Sequence, residues 1–256
     1  MISKCIQYWR RRLFNYHHHA ISSARAQRIA NAAAAGLAPH LPANPRLLDV
    51  GCGDGIIARR VADQLDSSRV QGVDILLQPG GHIDASHYDG VRLPHPDHSF
   101  DAVLLSDVLH HARRPQTLLE ECLRVCRHAV FVKDHFAPSV GAHATLWLMD
   151  LAGNASTGVA VTGRYFDRPT WLHMLTRAGA RQHQLLCPFI VHDKPWRWLA
   201  RSHWQFVAII APGDAATTDT SADLTPPASH GPVDKPPLAN THAGAGGDEP
   251  RKGQTC

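Results

Sequence analysis

A cluster of glycines and acids follows a short apolar run near residue 50, where residues 48–55 read LDVGCGDG. Glycines after a strand let the chain turn tightly and let a ligand approach the backbone closely. The spacing lacks the third glycine of the dinucleotide-binding fingerprint, since Ile56 occupies that position. Asp54 suits the start of a helix but would repel a pyrophosphate. The loop therefore favours a nucleoside ligand without phosphates.

A further acid, Asp74, lies 19 residues after Gly55, at the end of the next apolar run. A carboxylate placed there can accept hydrogen bonds from both hydroxyls of a ribose. The alternative, a surface aspartate in a turn, fits less well behind a glycine loop. The two features together indicate a nucleoside site.

The elements that must position these residues alternate between strands and helices. Alternation of this kind predicts crossover connections, a mainly parallel sheet and ligand sites at the carboxyl ends of its strands. The predicted helices cover residues 56–65, 107–127 with a break near Pro115, and 169–178. The predicted strands cover residues 46–50, 70–75, 82–87, 100–106, 129–133, 182–187 and 204–210.

Three ordered segments carry a family resemblance: residues 48–55, residues 88–101 (YDGVRLPHPDHSFD) and residues 105–111 (LSDVLHH). They resemble motifs of class I S-adenosylmethionine-dependent methyltransferases, in the type 11 subgroup that includes ubiquinone and menaquinone biosynthesis enzymes. The resemblance covers roughly residues 40–211. It implies S-adenosylmethionine as cofactor and an α/β, Rossmann-like, doubly wound sheet of seven strands. That sheet would be mostly parallel, with one antiparallel strand near its C-terminal edge. The last two predicted strands would form the hairpin that contains this strand.

The same resemblance implies roles for individual residues. The three loop glycines would pass under the methionine portion of the cofactor, with Asp49 near its amino group. Asp74 would hold the ribose, Asp89 the adenine amino group, and Ser106 would lie near the methyl. The implied cofactor site comprises Asp49, Gly51, Gly53, Gly55, Asp74, Asp89, Gly90 and Ser106.

Three histidines are candidates for a catalytic base. A base is needed only where the acceptor must lose a proton, and histidine suits this role near neutral pH. His110 and His111 follow the fourth predicted strand, and His135 follows the fifth, beside Asp134, which could set its tautomer. The alternative for each is a helix cap or a pocket wall without proton transfer.

Residues 138–165 interrupt the alternating pattern and contain Trp147, Met149 and Asp150. Such a segment is typical of a cover over a flat organic acceptor, although a core helix packed on the sheet is an equal alternative. We expect a small-molecule acceptor of aromatic or lipid-like character. Nucleic acid is not expected, because residues 49–211 carry 16 acids and 16 lysines and arginines.

The ends of the chain differ from its middle. Residues 1–45, predicted to be a basic amphipathic helical arm, contain no acid, and their apolar positions recur from Ile2 to Ala20 at helical spacing. The arm could pack over the domain, contact a membrane peripherally or act as a targeting peptide. Residues 46–211 would form the methyltransferase domain, and residues 212–256, with seven prolines, a disordered tail.

The six cysteines are scattered, which favours a reducing, cytoplasmic compartment and no disulfide framework. We expect no metal site. Cys122 and Cys126 lie one helical turn apart, but small apolar residues on a buried helix face explain them better. Alternatives for function are a catalytically silent scaffold, a nicotinamide-dependent oxidoreductase, and a methyltransferase acting on protein or RNA.

Overall fold

The structure, a computed structural model, describes residues 23–154, 161–191 and 202–213, which lie in one compact unit ending at Gly213. Within these ranges, residues 23–37 form helix α1 and a sheet of seven strands follows. The other helices are α2 (Ile56–Gln64), α3 (Pro115–Val125), α4 (Val140–Asn154) and α5 (Arg168–Arg177). The strands are β1 (Arg46–Val50), β2 (Arg69–Asp74), β3 (Asp84–His87), β4 (Phe100–Ser106), β5 (Cys126–His135), β6 (Ala180–Leu186) and β7 (Gln205–Pro212).

The sheet has the strand order β3-β2-β1-β4-β5-β7-β6. Strands β1 to β5 pair in parallel, whereas β7 runs antiparallel to both β5 and β6. This arrangement confirms the predicted fold class, including the antiparallel strand near the C-terminal edge. The order reverses direction at β1, between β2 and β4, so the carboxyl ends of these strands border one crevice.

Two apolar clusters cover the two faces of the sheet. Successive residues of a strand point to opposite faces, and Leu47 and Leu48 accordingly belong to different clusters. One cluster includes Trp171 of α5, the other Ile29 of α1 and Val61 of α2. Helices thus pack on both faces, which explains the apolar runs in the middle of β1, β4 and β5.

The terminal segments are described only in part. Ile29, Ala33 and Leu37 of α1 are fully buried, so the second half of the predicted arm packs into the core of the domain. The apolar face predicted between Ile2 and Ala20 lies outside the described residues, as does the predicted tail from residue 214 onward. In the described part of the chain, no helix is both long and apolar enough to cross a membrane.

Candidate functional site

The glycine loop between β1 and α2 is tied to the end of β2. The Gly51 amide donates to the Val73 carbonyl at 2.8 Å, and the Gly53 amide donates to Asp74 Oδ2 at 2.8 Å. The second oxygen of Asp74 accepts from the Leu76 amide at 2.9 Å. Asp74 therefore fixes both the loop and the start of the segment that follows β2.

The loop glycines differ in what surrounds them, although all have positive φ. A Cβ on Gly51 would lie 2.6 Å from Val108, and one on Gly55 would lie 2.5 Å from Ile83. A Cβ on Gly53 would meet nothing within 4 Å. Gly51 and Gly55 are thus required by the packing of the loop, whereas the backbone at Gly53 faces open space that a ligand can enter.

This difference predicts two separable effects of alanine substitution. We expect Gly51→Ala to lower the free energy of unfolding by about 2–3 kcal/mol, because strain at positive φ adds to a clash with Val108. Gly53→Ala should cost about 1 kcal/mol of stability and act mainly on ligand affinity. Urea denaturation and calorimetric titration of both variants measure the two effects. If Gly53→Ala destabilised the protein as much as Gly51→Ala and left the ligand affinity unchanged, the backbone at Gly53 would not face the ligand.

Asp49, at the buried end of β1, is the electrostatic centre of this crevice. Burial, and then the nearby Asp74 and Asp54 carboxylates, raise the pKa of Asp49 to about 8. Among the described residues, no ion pair includes Asp49. A cationic group of a ligand would therefore be stabilised here, which fits the ammonium and sulfonium of S-adenosylmethionine.

The remaining predicted cofactor residues lie on the same edge of the sheet. Ser106 ends β4, and its hydroxyl is buried without a hydrogen-bond partner among the described residues, as expected where a ligand would complete the site. Asp89 is exposed and accepts from the amides of Val91 and Arg92, each at 2.8 Å. Gly90 has φ 78° in the same turn. The turn adjoins β2, since the Tyr88 amide donates to the Asp74 carbonyl.

The three predicted histidines come together at the ends of β4 and β5. His110 and His111 lie in a short 3-10 helix (Leu109–His111) after β4, and His135 ends β5. The ring of His110 lies 4.0 Å from that of His111 and 5.6 Å from that of His135, measured between centroids. Parallel pairing of β4 with β5 explains this proximity.

His110 is held between two carboxylates. Its Nδ1 lies 2.6 Å from Asp134 Oδ1 and its Nε2 lies 3.3 Å from Asp150 Oδ2. Burial opposes the charged ring, but Asp134 and Asp150 outweigh it and raise the pKa of His110 to about 10. His110 therefore keeps its proton at neutral pH in this arrangement, which makes it a poor general base.

His135 has the opposite environment. Burial and the Lys133 ammonium lower its pKa, so the ring is neutral near pH 7. Its Nδ1 is buried, lies 3.4 Å from Asp107 Oδ1, and has no hydrogen bond among the described residues. Asp134, proposed from the sequence as the partner that sets the tautomer of His135, bonds the ring of His110 instead and accepts only the backbone amide of His135.

A buried ion pair lies under this cluster. Lys133 Nζ is 2.5 Å from Asp107 Oδ1, and only 1% of the Lys133 side chain is exposed. Arg25 of α1 binds the second oxygen of Asp107. Burial alone would raise the pKa of Asp107, but Lys133 and Arg25 hold it well below its usual range. Sequence reasoning missed Asp107 and Arg25, because their partners lie on different elements.

A cleft of about 600 Å³ adjoins the histidines, between α4 and the segment before α5. Thr162 on its wall donates to the His110 carbonyl at 2.6 Å, and His143 packs edge-on against Tyr165 at 5.2 Å between ring centroids. Its lining falls almost entirely within the segment predicted to cover the acceptor. The lining residues are Ala137, Ser139, Val140, His143, Ala144, Trp147, Thr162 and Gly163.

Comparison with known proteins gives a family and a relative. Residues 48–132 match the model of a methyltransferase domain family. The 27-O-demethylrifamycin SV methyltransferase of Amycolatopsis mediterranei (strain S699) is 34% identical over 106 residues. That alignment covers 36% of this chain and 38% of the relative, so the likeness spans about two fifths of the relative's length.

Solved structures resemble this chain in fold. A chain of the complex between the Haloferax volcanii Trm112 methyltransferase activator and a methyltransferase has a TM-score of 0.54 at 15% identity, covering 74% of this chain and 90% of its own length. An S-adenosylmethionine-dependent methyltransferase from Mesorhizobium loti has a TM-score of 0.50 at 19% identity, covering 66% and 93%. The [4+2]-cyclase SpnF has a TM-score of 0.51 at 19% identity, covering 73% and 81%.

Proposed function

We propose that this chain, whose residues 48–132 match a methyltransferase domain family, transfers a methyl group from S-adenosylmethionine to a small organic acceptor. The observation that carries the proposal is the crevice at the end of β1. There an open glycine loop adjoins the buried carboxyl of Asp49, whose ionised form is disfavoured by burial and by the nearby Asp74 carboxylate. Such a site suits a cationic nucleoside.

S-adenosylmethionine, when bound, would supply an electrophilic methyl group for in-line attack by an acceptor atom, with the neutral thioether as the leaving group. The chain's own residues would bind and orient the cofactor and the acceptor, and would exclude water from the site. The Asp49 carboxylate would pair with the ammonium, Asp74 would accept from the ribose, and the Gly53 backbone would let the methionine portion lie against the loop. The buried hydroxyl of Ser106, between this crevice and the histidines, would face the reacting centre.

The acceptor would enter from the cleft beside α4. Trp147 and the alanines of that wall suit a flat apolar body, and Ser139, His143 and Thr162 offer polar contacts. The small-molecule acceptor named for the Amycolatopsis relative supports this choice. Of the three histidines, we assign His135 as the base for an acceptor that must lose a proton, because its ring is neutral and His110 is charged.

The raised pKa of Asp49 gives a pH dependence with a definite sign. Below about pH 8 the carboxyl of the unliganded chain is mostly protonated, whereas a cationic ligand favours its ionised form. Binding should therefore release a proton. Affinity for S-adenosylmethionine should rise up to roughly tenfold per pH unit between about pH 6 and 7.5, where the ligand's ammonium stays charged.

Calorimetric titration in two buffers of different ionisation enthalpy measures both the affinity and the released proton. In Asp49→Asn, the proton release and the slope of affinity with pH should disappear. A wild-type affinity that does not change over this range would show that Asp49 does not contact the cation.

The function itself is tested with the full chain. We expect S-adenosylmethionine and S-adenosylhomocysteine to bind at micromolar concentration and NADH not to bind. A screen of phenols and hydroxylated polyketide-like compounds with radiolabelled cofactor should then yield a methylated product. Cofactor binding without turnover on any acceptor class, protein and RNA included, would favour a catalytically silent scaffold instead.

A further inference from the structure

We infer that His110, His111 and Asp150 form a binding site for one divalent transition-metal cation, with an open position toward the acceptor cleft. The three side chains come from two elements, the 3-10 helix after β4 and helix α4. Each offers one ligand atom, and these atoms all lie within 4.8 Å of one another. A cation bound at Nε2 of His110 would displace the proton that the ring carries there without metal, so metal binding would release a proton. Two imidazoles and one carboxylate on one side of a cation leave further positions for water or substrate.

The spacing of the His110 and Asp150 atoms fits a shared cation better than a direct bond. Nε2 of His110 lies 3.3 Å from Asp150 Oδ2. Charge-assisted hydrogen bonds are typically about 2.7–2.9 Å long. Two ligands at roughly 2.0–2.1 Å from a tetrahedral zinc ion lie about 3.3 Å apart. His111 offers the third ligand atom, which lies within 4.8 Å of the other two.

The surroundings of the triad match those of a metal site. Histidine ligands commonly pass their other ring N–H to a carboxylate, which fixes the ring and its tautomer. Asp134, which is completely buried, holds Nδ1 of His110 at 2.6 Å in this way. The Tyr165 hydroxyl donates to Asp150 Oδ2 and so orients the carboxylate ligand. His110 and Asp150 thus each have a residue that orients them.

A second grouping of Asp107, His110, Asp134 and His135 is a weaker candidate. Asp107 already pairs with the ammonium of Lys133 and the guanidinium of Arg25, so a dication there would face two fixed positive charges. Asp134 is occupied by His110.

The role of the cation rests on the proposed function. Donors of two nitrogens and one oxygen suit Zn²⁺ and its neighbours rather than Mg²⁺ or Ca²⁺. Thr162, which lines the cleft, donates to the His110 backbone carbonyl, so the 3-10 helix that carries two of the ligands adjoins the cleft. A cation there would bind an acceptor through a hydroxyl or phenolic oxygen and lower the pKa of that group. This selects oxygen acceptors over apolar carbon acceptors.

The test titrates the full chain, freed of metal with EDTA, with Zn²⁺ and with Co²⁺. We expect one equivalent to bind, with a visible Co²⁺ absorption of low coordination number. His111→Ala and Asp150→Asn should weaken binding by about 100-fold, and Asp134→Asn by roughly 10-fold or more. His173→Ala, an exposed histidine on α5, serves as a matched control with unchanged affinity.

The adjacent histidines at positions 17–19 are the main competing source of metal binding. The triple variant His17→Ala/His18→Ala/His19→Ala should still bind one equivalent of Zn²⁺. Loss of this binding in the triple variant would overturn the inference. Unchanged affinity in both His111→Ala and Asp150→Asn would also overturn it. X-ray absorption of the zinc-loaded wild-type chain, where two imidazole ligands are expected, decides the matter if those variants fail to fold.

Failure of this inference is distinguishable from failure of the proposed function. A chain that binds S-adenosylmethionine and methylates an acceptor fully in EDTA, without binding metal, would keep the function and remove the cation. A chain that binds one Zn²⁺ at the triad but no S-adenosylmethionine would keep the cation site and contradict the proposed function.

Discussion

Asp74→Ala is expected to weaken S-adenosylmethionine binding by about 100-fold, or roughly 2.7 kcal/mol. Two losses add in this variant. The proposed contacts of the carboxylate with the ribose disappear, each charge-assisted hydrogen bond contributing about 1.5–3 kcal/mol before compensation. The Gly53 and Leu76 amides also lose their shared acceptor, so the loop that faces the ligand is no longer fixed to β2.

Asp74→Asn separates these two losses, because its amide oxygen still accepts one backbone hydrogen bond while the charge is removed. It should show an intermediate affinity. Asp63→Asn is the matched control, since Asp63 is an exposed acid on α2 that pairs with Arg59. Calorimetric titration of the three variants measures the effect. An Asp74→Ala variant that binds as tightly as the wild type would exclude Asp74 from the cofactor site.

Asp107→Asn is expected to lower the free energy of unfolding by about 3 kcal/mol, because it leaves the Lys133 ammonium buried without a countercharge. The substitution keeps the shape of the side chain and tolerates the φ of 58° at this position. Arg25 is about one-third exposed and can turn to solvent, whereas Lys133 cannot. Urea denaturation at neutral pH measures the loss.

Two further measurements identify Lys133 as the cause. The double variant Asp107→Asn/Lys133→Met should regain most of the stability, because the unpaired buried ammonium is no longer present. Removing Asp107 should also lower the pKa of Lys133 further below its value in the unfolded chain. The unfolded state then binds more protons, so the stability of Asp107→Asn should rise from pH 7 to pH 9. Equal losses in the single and double variants would assign the effect to Arg25 instead.

The sequence predicted the centre of the sheet well because strands such as β4 and β7 are buried almost throughout and carry long apolar runs. Strand β1 and helix α3, which begins at Pro115, lie where the apolar runs and the proline placed them. Strand β5 is longer than predicted, running from Cys126 to His135. Its ends carry polar residues that pair with neighbouring strands, and such pairing leaves no hydrophobic pattern in the sequence.

The site was predictable only where one segment carries it. The glycine loop and Asp74 could be proposed as a cofactor site because their spacing is local to one crossover unit, and this role stays a prediction. The environment of the histidines could not, since the partners of His110 lie 24 and 40 residues further along the chain, at Asp134 and Asp150. Register between β4 and β5 brings Asp134 close, and the course of α4 brings Asp150 close. Whether a histidine is charged depends on these tertiary contacts.

Strand β7 is the last described element in the chain, yet it lies inside the sheet, between β5 and β6, and is buried except at Pro212. As the polypeptide leaves the ribosome, β1 to β5 can pair in turn, but β5 keeps an open, apolar edge until β7 is made. Helix α5 and β6 emerge before their partner strand exists. The sheet is therefore complete only once residues 205–212 have been synthesised, and β5 lacks its second neighbour until then.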